Sequence, residues 1–376
     1  MDDRPLERGR AWIEVELNAL AHNLSDIRSK IPVGCQIMAI VKANAYGHGV
    51  KRIAEQMVKE GIEAYAVATV TEGIELREHV PEGSILVLGR TPPDDAKWLF
   101  NNKLSQLVMD GAYAKSLNKT GYKLNIHIAI DTGMHRLGME TSNLDEIESI
   151  YDYDNLIIEG IGTHLSSPDS LTKSDVDFTN QQIEKLTEVV NVLKEKGHNT
   201  GKLHAQSSYG IYNYPGLKFD YVRPGIMMYG VKSLDDETKI KTDLRPVLSL
   251  KAVISQVRWI EAGESVSYGR MYTTGKPAKI ATVGIGYADG LPRQMSNNGG
   301  KAIVKGRKVP IIGRICMDML MLNVTEIQHV EAGDIVTLIG KDGDEVIHCE
   351  DIAGAANTIT NDVLSGLSGR LPRIYI

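Results

Sequence analysis

A lysine closes the apolar run Ile37-Met38-Ala39-Ile40-Val41, and the segment Ala43-Asn44-Ala45-Tyr46-Gly47-His48-Gly49 follows it. The run reads as a buried parallel strand. An ammonium at such a strand end costs free energy unless it is paired or chemically used. Desolvation lowers a lysine pKa, and a neutral amine can form a Schiff base with an aldehyde. Lys42 is therefore a candidate nucleophile. The plain alternative is a lysine whose head snorkels to water. Other chemically capable groups also sit just past apolar runs. They are Arg136 in Asp131-Thr132-Gly133-Met134-His135-Arg136-Leu137-Gly138, His164 in Gly162-Thr163-His164, the pair Ser207 and Ser208, and Arg223 in Arg223-Pro224-Gly225-Ile226. Singly, each has an ordinary explanation, such as a satisfied core histidine or an interdomain salt bridge. Arg136 lies in a glycine-flanked loop, where its planar fork can grip a carboxylate.

These groups need a frame that brings them together. Short apolar runs recur near Ile37–Val41, Ala64–Thr69, Ile85–Gly89, Gln106–Met109, Leu124–Ile130, Ile157–Thr163, Lys202–Gln206 and Asp220–Arg223, with helix-length segments between most of them. Eight such units in roughly 200–250 residues predict a (β/α)₈ TIM-type barrel. A doubly wound sheet competes, but no G-x-G-x-x-G follows the first run. In a parallel barrel the carboxyl ends of the strands share one face, and that face carries the active site. Barrels also often bind phosphate at the loops after strands seven and eight, where Ser208, Gly225 and Ile226 fall. After about Asp243 the texture becomes short alternating strands with glycine and proline turns, which predicts a mainly-β domain. We expect a barrel over residues 1–243, with the first residues joining the β domain, and the β domain over 244–376.

The chain has 376 residues, 42% apolar and 24% charged, with a net charge of -6. That balance gives no reason to expect a nucleic acid or an anionic membrane surface as partner. Cys35, Cys316 and Cys349 are widely spaced and lack a C-x-x-C, which suits free thiols in a reducing compartment better than disulfides or zinc. No metal site is expected. No apolar stretch is long enough to span a bilayer, and the start MDDRPLERGR is too polar for a signal peptide. A cytoplasmic location is the expectation.

The run V-K-A-N-A-Y-G-H-G resembles the lysine motif of the alanine racemase family, which depends on pyridoxal 5'-phosphate. D-T-G-M-H-R-L-G, G-T-H, V-R-P-G-I, V-S-Y-G, G-Y-A-D-G and C-M-D extend the resemblance over nearly the whole chain. It implies a cofactor-bearing barrel, a following β domain, a small amino-acid substrate and a homodimer with shared active sites. It implies that Lys42 holds the cofactor and is one proton-transfer base. Tyr268 is then the opposing base, reaching in from the partner subunit. Bases on opposite faces of a planar carbanion are what racemisation needs. Tyr46, Ser208, Gly225 and Ile226 would hold the phosphate, and His164 and Arg223 would tune Tyr268. Arg136 and Met317 would meet the substrate carboxylate. An arginine at the ring nitrogen cannot give up its proton. That weakens the electron sink and suits an enzyme that moves one α-proton without transamination.

Two positions depart from the family pattern. The lysine expected two residues before D-T-G-M is Ala129, so Arg136 needs another support. The tyrosine of the T-x-x-Y-E segment is Asn361, in Thr358-Ile359-Thr360-Asn361-Asp362. Losing a ring opens space, and an amide can donate and accept hydrogen bonds. This pattern is similar to the serine racemases of vancomycin-resistance clusters. It implies serine as a substrate with alanine also accepted, and a membrane segment upstream of this chain. Alternatives are an alanine racemase proper, a related barrel decarboxylase and a non-catalytic cofactor carrier. A decarboxylase would place an acid where Arg223 stands. A carrier would lack the β domain and Tyr268.

Overall fold

The computed structural model describes residues 8–233, 237–296 and 298–376. Most of the polar start lies outside them. Eight parallel strands form a closed ring: Gln36–Ile40, Ala64–Val67, Ser84–Val87, Ser105–Val108, Leu124–Asp131, Leu156–Gly162, Lys202–Ser207 and Tyr221–Arg223. The ring closes where Tyr221 pairs with Gln36 and Val222 with Ile37. Each strand falls within one or two residues of its expected place. Helices such as Val50–Lys59, Val70–Arg77 and Lys173–Glu195 cover the outside. Thr172 caps the longest of these by accepting from the Asp175 N–H, which satisfies one of its orphan donors.

A second sheet of nine strands is mostly antiparallel and is built around the long strand Leu248–Ile260. The N-terminal strand Ala11–Val15 belongs here and not to the barrel. It pairs antiparallel with Leu248–Ala252 and parallel with Arg373–Tyr375. The short strands Leu320–Asn323, Glu345–Ile347 and Arg373–Tyr375 also belong to this sheet. Among the described residues, no helix is long and apolar enough to cross a membrane.

One buried apolar cluster runs from the barrel, through Met38, Ala66 and Ile126, into the β domain at Leu250, Ile303 and Val336. The two parts therefore share a continuous core. The C-terminal strand also reaches the lysine segment. Arg373 Nε donates to the Gly47 carbonyl at 3.0 Å, and the Tyr375 hydroxyl donates to the His48 carbonyl at 3.2 Å.

Candidate active site

The first barrel strand ends at Ile40, and the chain then makes a left-handed turn. Ala43, Asn44, Ala45 and Tyr46 all have φ between 50° and 54°. Left-handed backbone costs an L-residue about 1–2 kcal/mol, so four in a row need support. Glu72 provides part of it. Its Oε1 accepts from the Ala43 N–H at 2.8 Å and its Oε2 from the Ala68 N–H at 2.7 Å. Asn44 Oδ1 accepts from the Val50 N–H at 2.7 Å. His48 Nδ1 donates to the carbonyls of Ala45 and Tyr46, and its ring stacks on Tyr229. Gly47 has φ 79°, and a Cβ there would stand 2.2 Å from the Leu364 carbonyl oxygen. The turn holds Lys42 half-buried at the mouth of the barrel. Burial, and then the nearby Arg136, lower the Lys42 pKa, while Glu72 opposes them.

Lys42 faces a cavity of about 350 Å³ at the carboxyl end of the barrel. The same cavity is lined by Tyr46, Arg136, His164, Ser208, Arg223, Gly225, Ile226 and Asn361. Nine of the eleven anticipated site residues thus converge on one pocket. Tyr268 and Met317 do not line it. They stand on the surface at 66% and 53% exposure. The Tyr268 loop is held in a high-energy conformation, with φ of 70° at Ser267 and 51° at Arg270. Ser267 Oγ anchors it by donating to the Arg314 carbonyl at 2.6 Å.

Arg223 is buried at the back of the pocket. Its partners among the described residues are neutral: the carbonyls of Thr163 and Ala205, His164 Nδ1 at 3.2 Å, and His204 Nδ1. A guanidinium can only donate, so both imidazoles accept at Nδ1. Neutral His204 then carries its proton on Nε2 and donates to His127 Nδ1 at 2.9 Å. Burial, and then the Arg223 charge, push the His164 pKa down to about 3. The same two causes push His127 down to about 3. At neutral pH this relay is a chain of fixed tautomers around one cation.

On the other side, Ser208 Oγ accepts from the N–H groups of Gly225 at 2.9 Å and Met227 at 3.4 Å. The Tyr46 hydroxyl lies where a Gly225 side chain would go, 2.7 Å from an added Cβ. Only glycine lets the phenol reach this corner. Arg136 lines the cavity beside the small Ala129. Asp131 does not pair with it and instead accepts from the N–H groups of Gly133 and His135.

Sequence reasoning missed Glu72, His127 and His204. Glu72 carries a visible signal, because Thr69-x-x-Glu72 is a capping box. Nothing in that pattern says that the carboxylate also holds Ala43. His204 sits inside an apolar strand, where its partner Arg223 is 19 residues away.

A closed parallel barrel with a lysine, two arginines and a neutral histidine round one pocket is a candidate active site of the barrel type. Family models name it further. The N-terminal domain of alanine racemase matches residues 15–233 and the C-terminal domain matches residues 247–375. The chain belongs to the alanine racemase family. An amino-acid racemase of Enterococcus faecalis is 42% identical over 363 residues, covering 96% of this chain and 51% of that protein. This chain thus spans about half the length of that relative. An alanine racemase of Carboxydothermus hydrogenoformans is 39% identical, covering 97% of this chain and 99% of its own length. The solved alanine racemase of Clostridium difficile 630 superposes with a TM-score of 0.91 at 34% identity, covering 98% of this chain and 96% of that one. That of Bartonella henselae, solved with covalently bound pyridoxal phosphate, gives a TM-score of 0.86 at 30% identity, covering 98% and 100%.

Proposed function

We propose that this chain interconverts the L and D forms of serine, and also of alanine, with pyridoxal phosphate held on Lys42 and with its active sites shared between two copies. The observation that carries the reading is the single cavity that joins Lys42, Arg136, His164, Arg223 and Asn361.

The pocket fits the cofactor. Ser208, Gly225, Ile226 and Tyr46 form a donor-rich corner for a phosphate, with N–H groups already converging on Ser208 Oγ. Arg223 is a buried cation whose described partners are neutral, so a ring nitrogen can accept from it. Bound there, pyridoxal phosphate withdraws electrons from the α-carbon of an amino acid and makes its proton removable.

Everything else falls to the chain's own groups. Lys42 faces the cavity, and burial followed by the nearby Arg136 shifts its pKa downward, which favours a role in taking or returning the α-proton from one side. Arg136 grips the substrate carboxylate. Neutral His164 is held by Arg223 and faces the same pocket.

The second base is the Tyr268 phenol of a second copy. Its support is placement. Tyr268 is exposed and does not line its own chain's pocket, and Met271, three residues on, is exposed as well. Exposed apolar side chains of this kind suit a partner surface, and a twofold dimer would carry Tyr268 to the other subunit's pocket. Asn361 supports serine, because the amide offers a polar group where the family has an aromatic ring.

The test is α-carbon deuterium exchange in D₂O with L-serine and L-alanine, followed by chiral analysis of the products. Exchange with inversion of both is expected. Exchange with alanine alone would remove serine and leave an alanine racemase. No exchange, with a cofactor absorbance band that Lys42→Ala abolishes, would overturn the racemase reading.

A further inference from the structure

We infer that Ser233 is a positioning residue that sets substrate choice, by fixing which end of the Asn361 amide faces the cavity. The inference rests on the serine reading above and goes one residue beyond it.

Ser233 Oγ donates to Asn361 Oδ1 at 2.8 Å across 128 residues of sequence, and both side chains line the cavity that contains Lys42 and Arg136. Ser233 is held from three directions. Its N–H donates to the Tyr209 hydroxyl at 3.0 Å. Its carbonyl accepts from the Thr360 N–H at 3.2 Å. One residue earlier, the Lys232 carbonyl accepts from Thr360 Oγ1 at 2.6 Å. The segment 232–233 is thereby stapled to the start of the helix Thr360–Ser365, which carries Asn361.

An amide has one accepting end and one donating end. With Oδ1 engaged by the Ser233 hydroxyl, the pocket is offered the NH₂ end. That group donates to a substrate hydroxyl oxygen and finds no partner on alanine. Asn361 is partly buried, and a site that withdraws a donor from water discriminates against the analogue that lacks the acceptor, because the donor then loses a partner. Without Ser233 the amide is free to rotate by half a turn and present its oxygen, and the read-out blurs.

The experiment compares the holoenzyme with Ser233→Ala, Ser233→Thr, Asn361→Asp and Asn361→Tyr. Two quantities are measured for each of L-serine and L-alanine: kcat/KM, and the apparent Kd from titration of the cofactor absorbance. Ser233→Ala is expected to lower the serine-to-alanine ratio about tenfold in both, and Ser233→Thr, which keeps the hydroxyl, to restore it. A general structural defect would lower both substrates together and leave the ratio in place. Asn361→Asp keeps the acceptor toward Ser233 but has no NH₂, so the ratio falls as far as in Ser233→Ala. If Asn361→Tyr collapses the ratio and Ser233→Ala leaves it unchanged, the inference is overturned and the serine reading stands. A ratio preserved in Asn361→Asp overturns the donor assignment. If the unmutated protein shows no serine turnover, the serine reading fails first and the inference falls with it.

Discussion

Arg223 donates to Nδ1 of His164 at 3.2 Å from a guanidinium that is itself buried. This contact fixes the His164 proton on Nε2 and helps keep the ring neutral at working pH. The same guanidinium serves His204 and the carbonyls of Thr163 and Ala205. A lysine at this position has one short-reach ammonium and cannot replicate the fork. Arg223→Lys should therefore lower unfolding free energy by about 2–4 kcal/mol and racemisation at least roughly 100-fold. Denaturant titration and chiral turnover assays check the two parts. Parental turnover in the lysine variant would remove Arg223 from the chemistry.

The proposed sharing of active sites between two copies makes a prediction that no single-chain site can mimic. Lys42→Ala and Tyr268→Phe should each reduce turnover by about 10²–10⁴-fold. Refolding the two variants together gives hybrids with one intact site, Lys42 from one copy and Tyr268 from the other. About a quarter of parental activity should return if copies pair at random as a twofold dimer. If Tyr268 served its own pocket, every hybrid site would lack one base. Mixtures that stay as inactive as the separate variants would refute the arrangement in trans.

The barrel was legible because short apolar runs recur along the first two thirds of the chain. Ile37–Val41 is wholly apolar and Ala64–Thr69 nearly so, which is what strands covered on both faces require. The pocket was legible for a related reason, since Lys42, His164 and Arg223 are polar residues at places where a buried strand end tolerates few, and Arg136 stands in a glycine-flanked loop just beyond another strand. What stayed hidden depends on pairing across distance. Ser233 has nothing unusual about it until Asn361 arrives from 128 residues away. His127 and His204 alternate with apolar neighbours as any inward strand residue would, and only Arg223 makes them a relay. The left-handed run Ala43–Tyr46 has no glycine to announce it. Alanine is a poor choice for that backbone, and nothing local explains it. The conformation is imposed by Glu72, His48 and the C-terminal strand.

Glu72 gives that last point a test. Its two oxygens join the lysine turn to the end of the second barrel strand, through Ala43 and Ala68. Glu72→Ala removes both contacts and half of the capping box at Thr69. The loss should be about 1–3 kcal/mol in unfolding free energy. Because the turn aims Lys42, turnover of serine and alanine should fall by the same factor, and their ratio should not move. The cofactor absorbance band, titrated against added pyridoxal phosphate, should show weaker retention. A variant with lower stability but unchanged turnover and retention would make Glu72 a scaffold residue only.

The buried imidazoles also fix how stability depends on pH. Folded, His127 and His164 resist protonation down to about pH 3, and burial holds His204 well below its ordinary value too. His48 stays neutral to about pH 4. Unfolded, each protonates near 6.5. Between these limits the unfolded chain binds more protons, so stability falls as pH falls. One such site alone gives a slope of about 1.4 kcal/mol per pH unit. Well above pH 6.5 these groups are neutral in both states and add no slope. The window from pH 6.5 to 5 isolates them, because it lies above the ordinary carboxylate range. Urea denaturation of the holoenzyme across that window should show a steady loss of stability. His127→Asn removes one imidazole and should make the loss shallower. Equal slopes for the parent and this variant would mean that His127 is protonated in the fold, and that the tautomer chain running from Arg223 through His204 is wrong.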